Sequence, residues 1–223
     1  MALEDILPGT LGFGTAPLGN MFRDIPDAEA RATVDAAWND GIRYFDTAPL
    51  YGAGLAELRL GEALAERPRA DYVISTKVGR LILDEKEDVS ARDQGEKGSL
   101  FAHGRDNRVV NDYSYDATLR SIEDSLERLR TDRIDLYYAH YDDEEVSIEE
   151  QVRIADGLVR SGRVHHLGLS NFSPERMREW FEVATREGLT VPVAIQPHYN
   201  LLARAGYEKD YAPIAREFDA AVM

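Results

Sequence analysis

A chain of 223 residues, 43% hydrophobic and 30% charged, is long enough to bury a substantial core and fits one globular domain. Its formal net charge of -15 argues against a broad nucleic-acid surface, which needs clustered Lys and Arg to neutralise phosphates. No apolar run approaches the ~20 residues that span a bilayer, the N-terminus lacks the pattern of a signal peptide, and zero Cys excludes disulfides and thiolate metal sites, all compatible with a cytoplasmic protein.

Along the chain, β-like apolar runs alternate with helical patterns, as expected for parallel strands joined by crossover helices. The first run covers residues 11–18. A helix fits 27–40, with Ala30, Val34, Ala37 and Trp38 on one face and Gly41 placed to end it. A strand at 44–46, a short helix at 56–64 and a strand at 72–77 follow. Residues 81–114 show no sustained apolar period and read as a long loop, either a disordered insertion or a binding or lid element that shapes a pocket. Leu119, Ile122, Leu126 and Leu129 then mark a helix, and 134–139 a strand. Ser147 and Glu150 form a capping-box pattern for a helix through Arg160, with Gly162 as its stop. A strand at 164–169, a helix opened by Ser173-Pro174, a strand at 193–196 and a helix at 209–218 complete the alternation, and 220–223 begins another strand.

Six strands and the start of a seventh, in a regular βα unit, point to an α/β fold of the TIM-type (β/α)8 class, incomplete within this sequence. The competing architecture is an open doubly wound sheet. It is disfavoured because Gly12-Phe13-Gly14 lacks the third glycine and the following helix of a dinucleotide fingerprint.

In a β/α barrel the functional groups sit where strands end. Asp46 ends the second strand, Tyr51 follows in its loop, Lys77 ends the third, and His140 ends the fourth. Singly, each has a plain alternative: Asp46 as a helix cap, Tyr51 as packing, Lys77 as a solvated charge, His140 as a core histidine. Together they make an acid–base set. A phenol titrates near ~10, and a neighbouring ammonium favours phenolate, which makes Tyr51 a proton donor with Lys77 as its charge partner. Asp46 would orient Lys77, and His140 would hydrogen-bond a substrate oxygen.

The segments Asp46-Thr47-Ala48-Pro49-Leu50-Tyr51-Gly52, Ser75-Thr76-Lys77-Val78-Gly79 and Tyr138-Ala139-His140 resemble the aldo-keto reductase family. Gly168-Leu169-Ser170-Asn171 and Gln196-Pro197-His198-Tyr199-Asn200 extend the resemblance over nearly the whole sequence. It implies a catalytic tetrad of Asp46, Tyr51, Lys77 and His140, with Tyr51 as general acid/base. It also implies that Ser170, Asn171 and Gln196, beside Asp46, contact the nicotinamide end of NADP or NAD, NADP being favoured. Without the resemblance, Ser170-Asn171 reads equally as a helix-entry turn, and Gln196 as a satisfied buried amide. The region through Asp135 looks most like the aldose-dehydrogenase branch associated with galactose- and fucose-type sugars, and the region after His140 like general aldo-keto reductases.

The implied function is hydride transfer between NAD(P) and an aldehyde, ketone or aldose. Two alternatives stay open: a non-catalytic binding role, as in the potassium-channel β subunits that resemble this family, and an inactive fragment. Family members run past residue 223, adding an eighth strand and the loops that hold the pyrophosphate. The single domain 1–223 is therefore expected to lack the last strand–helix units and to self-associate through an open barrel edge. His165 and His166 point to opposite faces of a strand, so no metal site is expected. The run Asp142-Asp143-Glu144-Glu145 reads as a solvated loop, and Asn171-Phe172-Ser173 as a coincidental glycosylation pattern.

Overall fold

The computed structural model describes residues 7–88, 100–101 and 103–223. The fold is α/β. Seven parallel strands form one sheet: β1 (Gly12–Gly14), β2 (Tyr44–Asp46), β3 (Val73–Val78), β6 (Ile134–Ala139), β7 (Val164–Ser170), β8 (Ala194–Gln196) and β9 (Ala221–Val222). Between them run α1 (Asp27–Asn39), α2 (Leu55–Leu64), α3 (Tyr115–Leu129), α4 (Ile148–Arg160), α5 (Pro174–Glu187) and α6 (Ala212–Glu217). The strands lie side by side in chain order, whereas a doubly wound sheet reverses its order at a switch point. The sheet also curls. Gly12, Phe13 and Gly14 of β1 and Ala221 and Val222 of β9 line opposite sides of one cavity of about 700 Å³, so its two edge strands face each other.

Alternation along each strand divides the core. Phe45, Ile74, Tyr137 and Leu169 pack outward against Leu60, Ile122, Val152 and Phe181 of the helices. On the concave face Leu136, Tyr138 and Ala194 form a smaller cluster. The helix starts follow their capping signals: the Ser114, Ser147 and Ser173 hydroxyls accept hydrogen bonds from the N–H groups of Ala117, Glu150 and Arg176. Among the described residues no helix is long and apolar enough to cross a membrane.

Three expectations change. The first strand stops at Gly14, because the chain turns into a 3-10 segment (Ala16–Gly19) that contains Pro17. The loop expected at 81–114 contains an antiparallel pair, β4 (Arg80–Lys86) and β5 (Asn107–Asn111), in which Leu81 faces Val110 and Ile82 faces Val109; residues 89–99 and 102 of that stretch lie outside the described residues. The helix expected at 209–218 begins as a π-type turn (Tyr207–Tyr211) before α6. Pro213 has no N–H to return to Lys209, so a regular α-turn loses its bond there.

Candidate active site

In a parallel sheet every strand delivers its C-terminal end to the same side, and the register keeps those ends level. Asp46 pairs with Ser75, Lys77 with Tyr138, and Ser170 with Gln196. A cavity of about 350 Å³ at that side is lined by Tyr51, Lys77, His140, Ser170, Asn171 and Gln196. Asp46 lies behind Lys77 and borders the neighbouring cavity between the sheet edges. The residues expected to act together are thus brought together.

Lys77 is buried, with 1% of its side chain exposed, and its Nζ donates to Asp46 Oδ2 at 2.7 Å and to the Thr47 carbonyl at 2.8 Å. The ammonium lies 5.0 Å from the centre of the Tyr51 ring. Burial acts to lower the Lys77 pKa, but the Asp46 charge, the Tyr51 phenol and hydrogen bonds to both together hold it above its ordinary value. The amine therefore stays cationic. For Tyr51 the expected direction does not hold. Lys77 does pull the phenol pKa down, through charge and hydrogen bonding, yet desolvation is larger and the net shift is upward. Burial thus favours the neutral phenol at Tyr51.

The Tyr51 loop is placed by backbone packing. Gly52 has φ +67°, and a Cβ there would come within 2.3 Å of the Gly19 carbonyl oxygen, so only glycine lets the two loops touch. Gly104 closes on Gly52 from the other side, where a Cβ would meet its Cα at 2.6 Å. Phe101 stacks on the phenol ring at 5.6 Å, and His140 meets it edge-on at 6.2 Å.

His140 is held neutral. Burial first, then the charges of Lys77 and Arg80, depress its pKa to about 3. Its carbonyl accepts from Asn171 Nδ2 at 2.9 Å, and the same Nδ2 reaches Ser170 Oγ at 2.9 Å. Ser170 Oγ in turn donates to the Gln196 carbonyl at 3.2 Å. These bonds tie the ends of β6, β7 and β8 together. They leave Asn171 Oδ1 without a partner among the described residues, and likewise the whole Gln196 amide: an acceptor and a donor–acceptor pair on one rim.

Sequence reasoning passed over several residues. Ser75 bonds the Asp46 carboxylate and Tyr44 bonds Ser75; both sit two positions before a residue already singled out, on the same strand face, though that spacing alone does not mark them as polar partners. Phe101 and Tyr141 line the cavity; no periodicity flagged either. The acidic run is only partly solvated: Asp142 is gripped by Arg176 through Nε at 2.7 Å and Nη2 at 2.9 Å, which ties the loop after β6 to α5.

The sequence model of the aldo/keto reductase family matches residues 10–223. Pyridoxal 4-dehydrogenase of Microbacterium luteolum is 46% identical over 133 residues, covering 58% of this chain and 39% of that protein. D-threo-aldose 1-dehydrogenase of a Pseudomonas species is 47% identical over 131 residues, with the same coverage of 58% and 39%. The glycerol dehydrogenase structure from Gluconobacter oxydans superposes with a TM-score of 0.76 at 34% identity, over 97% of this chain and 61% of that one. The chain thus spans about two fifths of the length of those two relatives.

Proposed function

Because the chain belongs to the aldo/keto reductase family, we propose that it carries the acid–base half of a nicotinamide-dependent oxidoreductase that interconverts an aldehyde, ketone or aldose with its alcohol. In this reading residues 1–223 are one aldo-keto reductase barrel domain, a (β/α)8 barrel short of its last strand–helix units, working in the cytoplasm. The observation that carries it is the buried Lys77 ammonium, held by Asp46 and directed at the Tyr51 phenol on a cavity wall.

The free rim groups of Asn171 and Gln196, with Ser170 beside them, suit a carboxamide, which needs an acceptor for its NH2 and a donor for its oxygen. They would hold the nicotinamide end of NADP or NAD, with NADP favoured by the family resemblance. That cofactor, when bound, supplies or takes the hydride at the substrate carbon. Tyr51 gives its proton to the carbonyl oxygen in reduction and retrieves it from the alcohol in oxidation. Lys77 stabilises the phenolate left behind, and Asp46 holds Lys77 in place. The neutral His140 ring offers an N–H to the substrate oxygen without adding a second cation beside Lys77.

Tyr51→Phe removes the proton donor while keeping the ring stacked on Phe101. Its kcat/KM for reduction of aldehydes and aldoses with NADPH or NADH is expected to fall by about 10²–10⁴. Unchanged turnover would overturn the proposal. Fluorescence titration with each cofactor separates binding from chemistry, and the variant should bind as the parent does.

A further inference from the structure

The interior of the sheet holds a polar chain that the acid–base reading does not use. Tyr44 and Asp46 share one face of β2, and Ser75 and Lys77 the same face of β3. The Tyr44 hydroxyl lies 2.9 Å from Ser75 Oγ, and Ser75 Oγ donates to Asp46 Oδ1 at 2.5 Å. The other carboxylate oxygen, Oδ2, receives Lys77 Nζ. The single Ser75 hydroxyl proton is committed to Asp46 Oδ1, so in the bond between the two hydroxyls Tyr44, which burial keeps protonated, is the donor to Ser75. All the hydrogens therefore point one way, from Tyr44 to Ser75 to Asp46.

Room for this chain is built into the neighbouring strands. A Cβ at Gly12 of β1 would lie 2.5 Å from the Tyr44 ring. Across the sheet, a Cβ at Gly168 of β7 would lie 2.3 Å from the ring of Tyr138, which neighbours Tyr44. Glycine on each side leaves space for a large phenol where a barrel interior ordinarily takes aliphatic side chains. The Ser75 hydroxyl, backed by that of Tyr44, thus reaches one oxygen of the Asp46 carboxylate, and the two glycines make room for the phenol rings.

We propose that Ser75, itself held by Tyr44, is a positioning residue that locks the Asp46 carboxylate so that its second oxygen fixes the Lys77 ammonium against Tyr51. The proposal rests on the acid–base reading of Tyr51 and Lys77 given above. A carboxylate anchored through one oxygen alone is free to turn about its χ2 and take the ammonium with it; with both oxygens occupied it is not. Loss of Ser75 acts on Tyr51 in one direction by two routes. If the carboxylate swings, the ammonium is less well aimed. If it stays, its charge is less dispersed beside the phenol. Both disfavour phenolate. The groups acting on the phenol are Lys77, Asp46 and Tyr141, with the neutral His140 ring edge-on.

The test uses Ser75→Ala, Ser75→Thr and Tyr44→Phe with two readouts. In protein labelled with ¹³C at tyrosine Cζ, with Tyr51→Phe assigning the resonance, the Tyr51 midpoint should rise by about one pH unit in Ser75→Ala. It should rise less in Tyr44→Phe and return in Ser75→Thr, which restores the hydroxyl. In turnover, Ser75→Ala should lower kcat about tenfold with KM within about twofold. If Ser75→Ala folds with native near-UV circular dichroism and leaves the Tyr51 midpoint unmoved, the positioning role is wrong. A threonine that fails to restore it overturns the proposal equally. The titration needs no cofactor. A moved midpoint with turnover unaffected by Tyr51→Phe would sink the proposed function and leave the hydrogen-bonded chain standing.

Discussion

His140 shows how one side chain can be chosen for what it does not do. An imidazole with an ordinary pKa near ~6.5 would share its proton through the physiological range, but here burial and the cations Lys77 and Arg80 push the value to about 3. In the unfolded chain the same ring takes a proton near pH 6.5. The folded pKa is the lower of the two, so the stabilisation is present above pH 6.5 and is lost as pH falls toward 3. The expected slope is about 1.4 kcal/mol per pH unit once well below 6.5. Urea unfolding of the parent and of His140→Gln between pH 7 and pH 4.5 measures it as a difference, which removes what the carboxylates contribute to both. Parallel stability curves would mean that His140 already titrates near its ordinary value. That His140, Asp46, Tyr51 and Lys77 were legible follows from one rule, since polar residues at the ends of parallel strands must meet. Ser75 and Tyr44 were missed because they lie inside their strands, where a hydroxyl reads as ordinary strand composition until its partner across the sheet is known.

At the level of elements, the helices were recognised most closely, because caps and apolar stripes are local signals. The β4–β5 pair was not. Its apolar residues are few, and each strand finds its partner more than 20 residues away in sequence, a pairing no local period encodes. Another hidden feature joins α2, α3 and β3. Glu57 in α2 is fully buried; its Oε2 accepts from Arg128 Nε of α3 at 2.7 Å and its Oε1 from Thr76 Oγ1 of β3 at 2.6 Å. Thr76 is the neighbour of Lys77, and α2 begins four residues after Tyr51, so this clamp sets both halves of the site on one support. Breaking it from one side strands a carboxylate in the core. Arg128→Ala is expected to cost about 3–5 kcal/mol in urea unfolding. Adding Glu57→Gln, which removes the charge but keeps an acceptor for Thr76, should recover part of that loss. A cost for Arg128→Ala below about 1 kcal/mol would show that this buried pair does not clamp α2 to α3.

For the molecule as a whole, alternating strand and helix signals were enough to read the parallel α/β order, because each βα unit is a local pattern. The curl was read only through the regular βα repeat and the family resemblance that pointed to a barrel, not from any local signal, because it brings β1 and β9 face to face although their residues are separated by almost the entire chain. Among the described residues these two strands do not pair with each other, and exposed apolar side chains stand beside them, Leu11 near one edge and Val222 at the other. Leu201 and Leu202, 92% and 98% exposed, add apolar surface in the loop after β8. Such edges favour strand pairing between copies, while a net charge of -15 drives copies apart over about a Debye length, ~8 Å at physiological salt. The two forces respond oppositely to ionic strength. Screening weakens the repulsion and leaves the edge attraction intact, so self-association should strengthen with added salt. Sedimentation velocity at 20 mM and 500 mM sodium chloride is expected to show a larger weight-average mass at the higher salt. Val222→Lys, which places a charge on one edge, should return the protein toward monomer. If the mass is independent of both salt and that substitution, the facing edges are not what brings copies together.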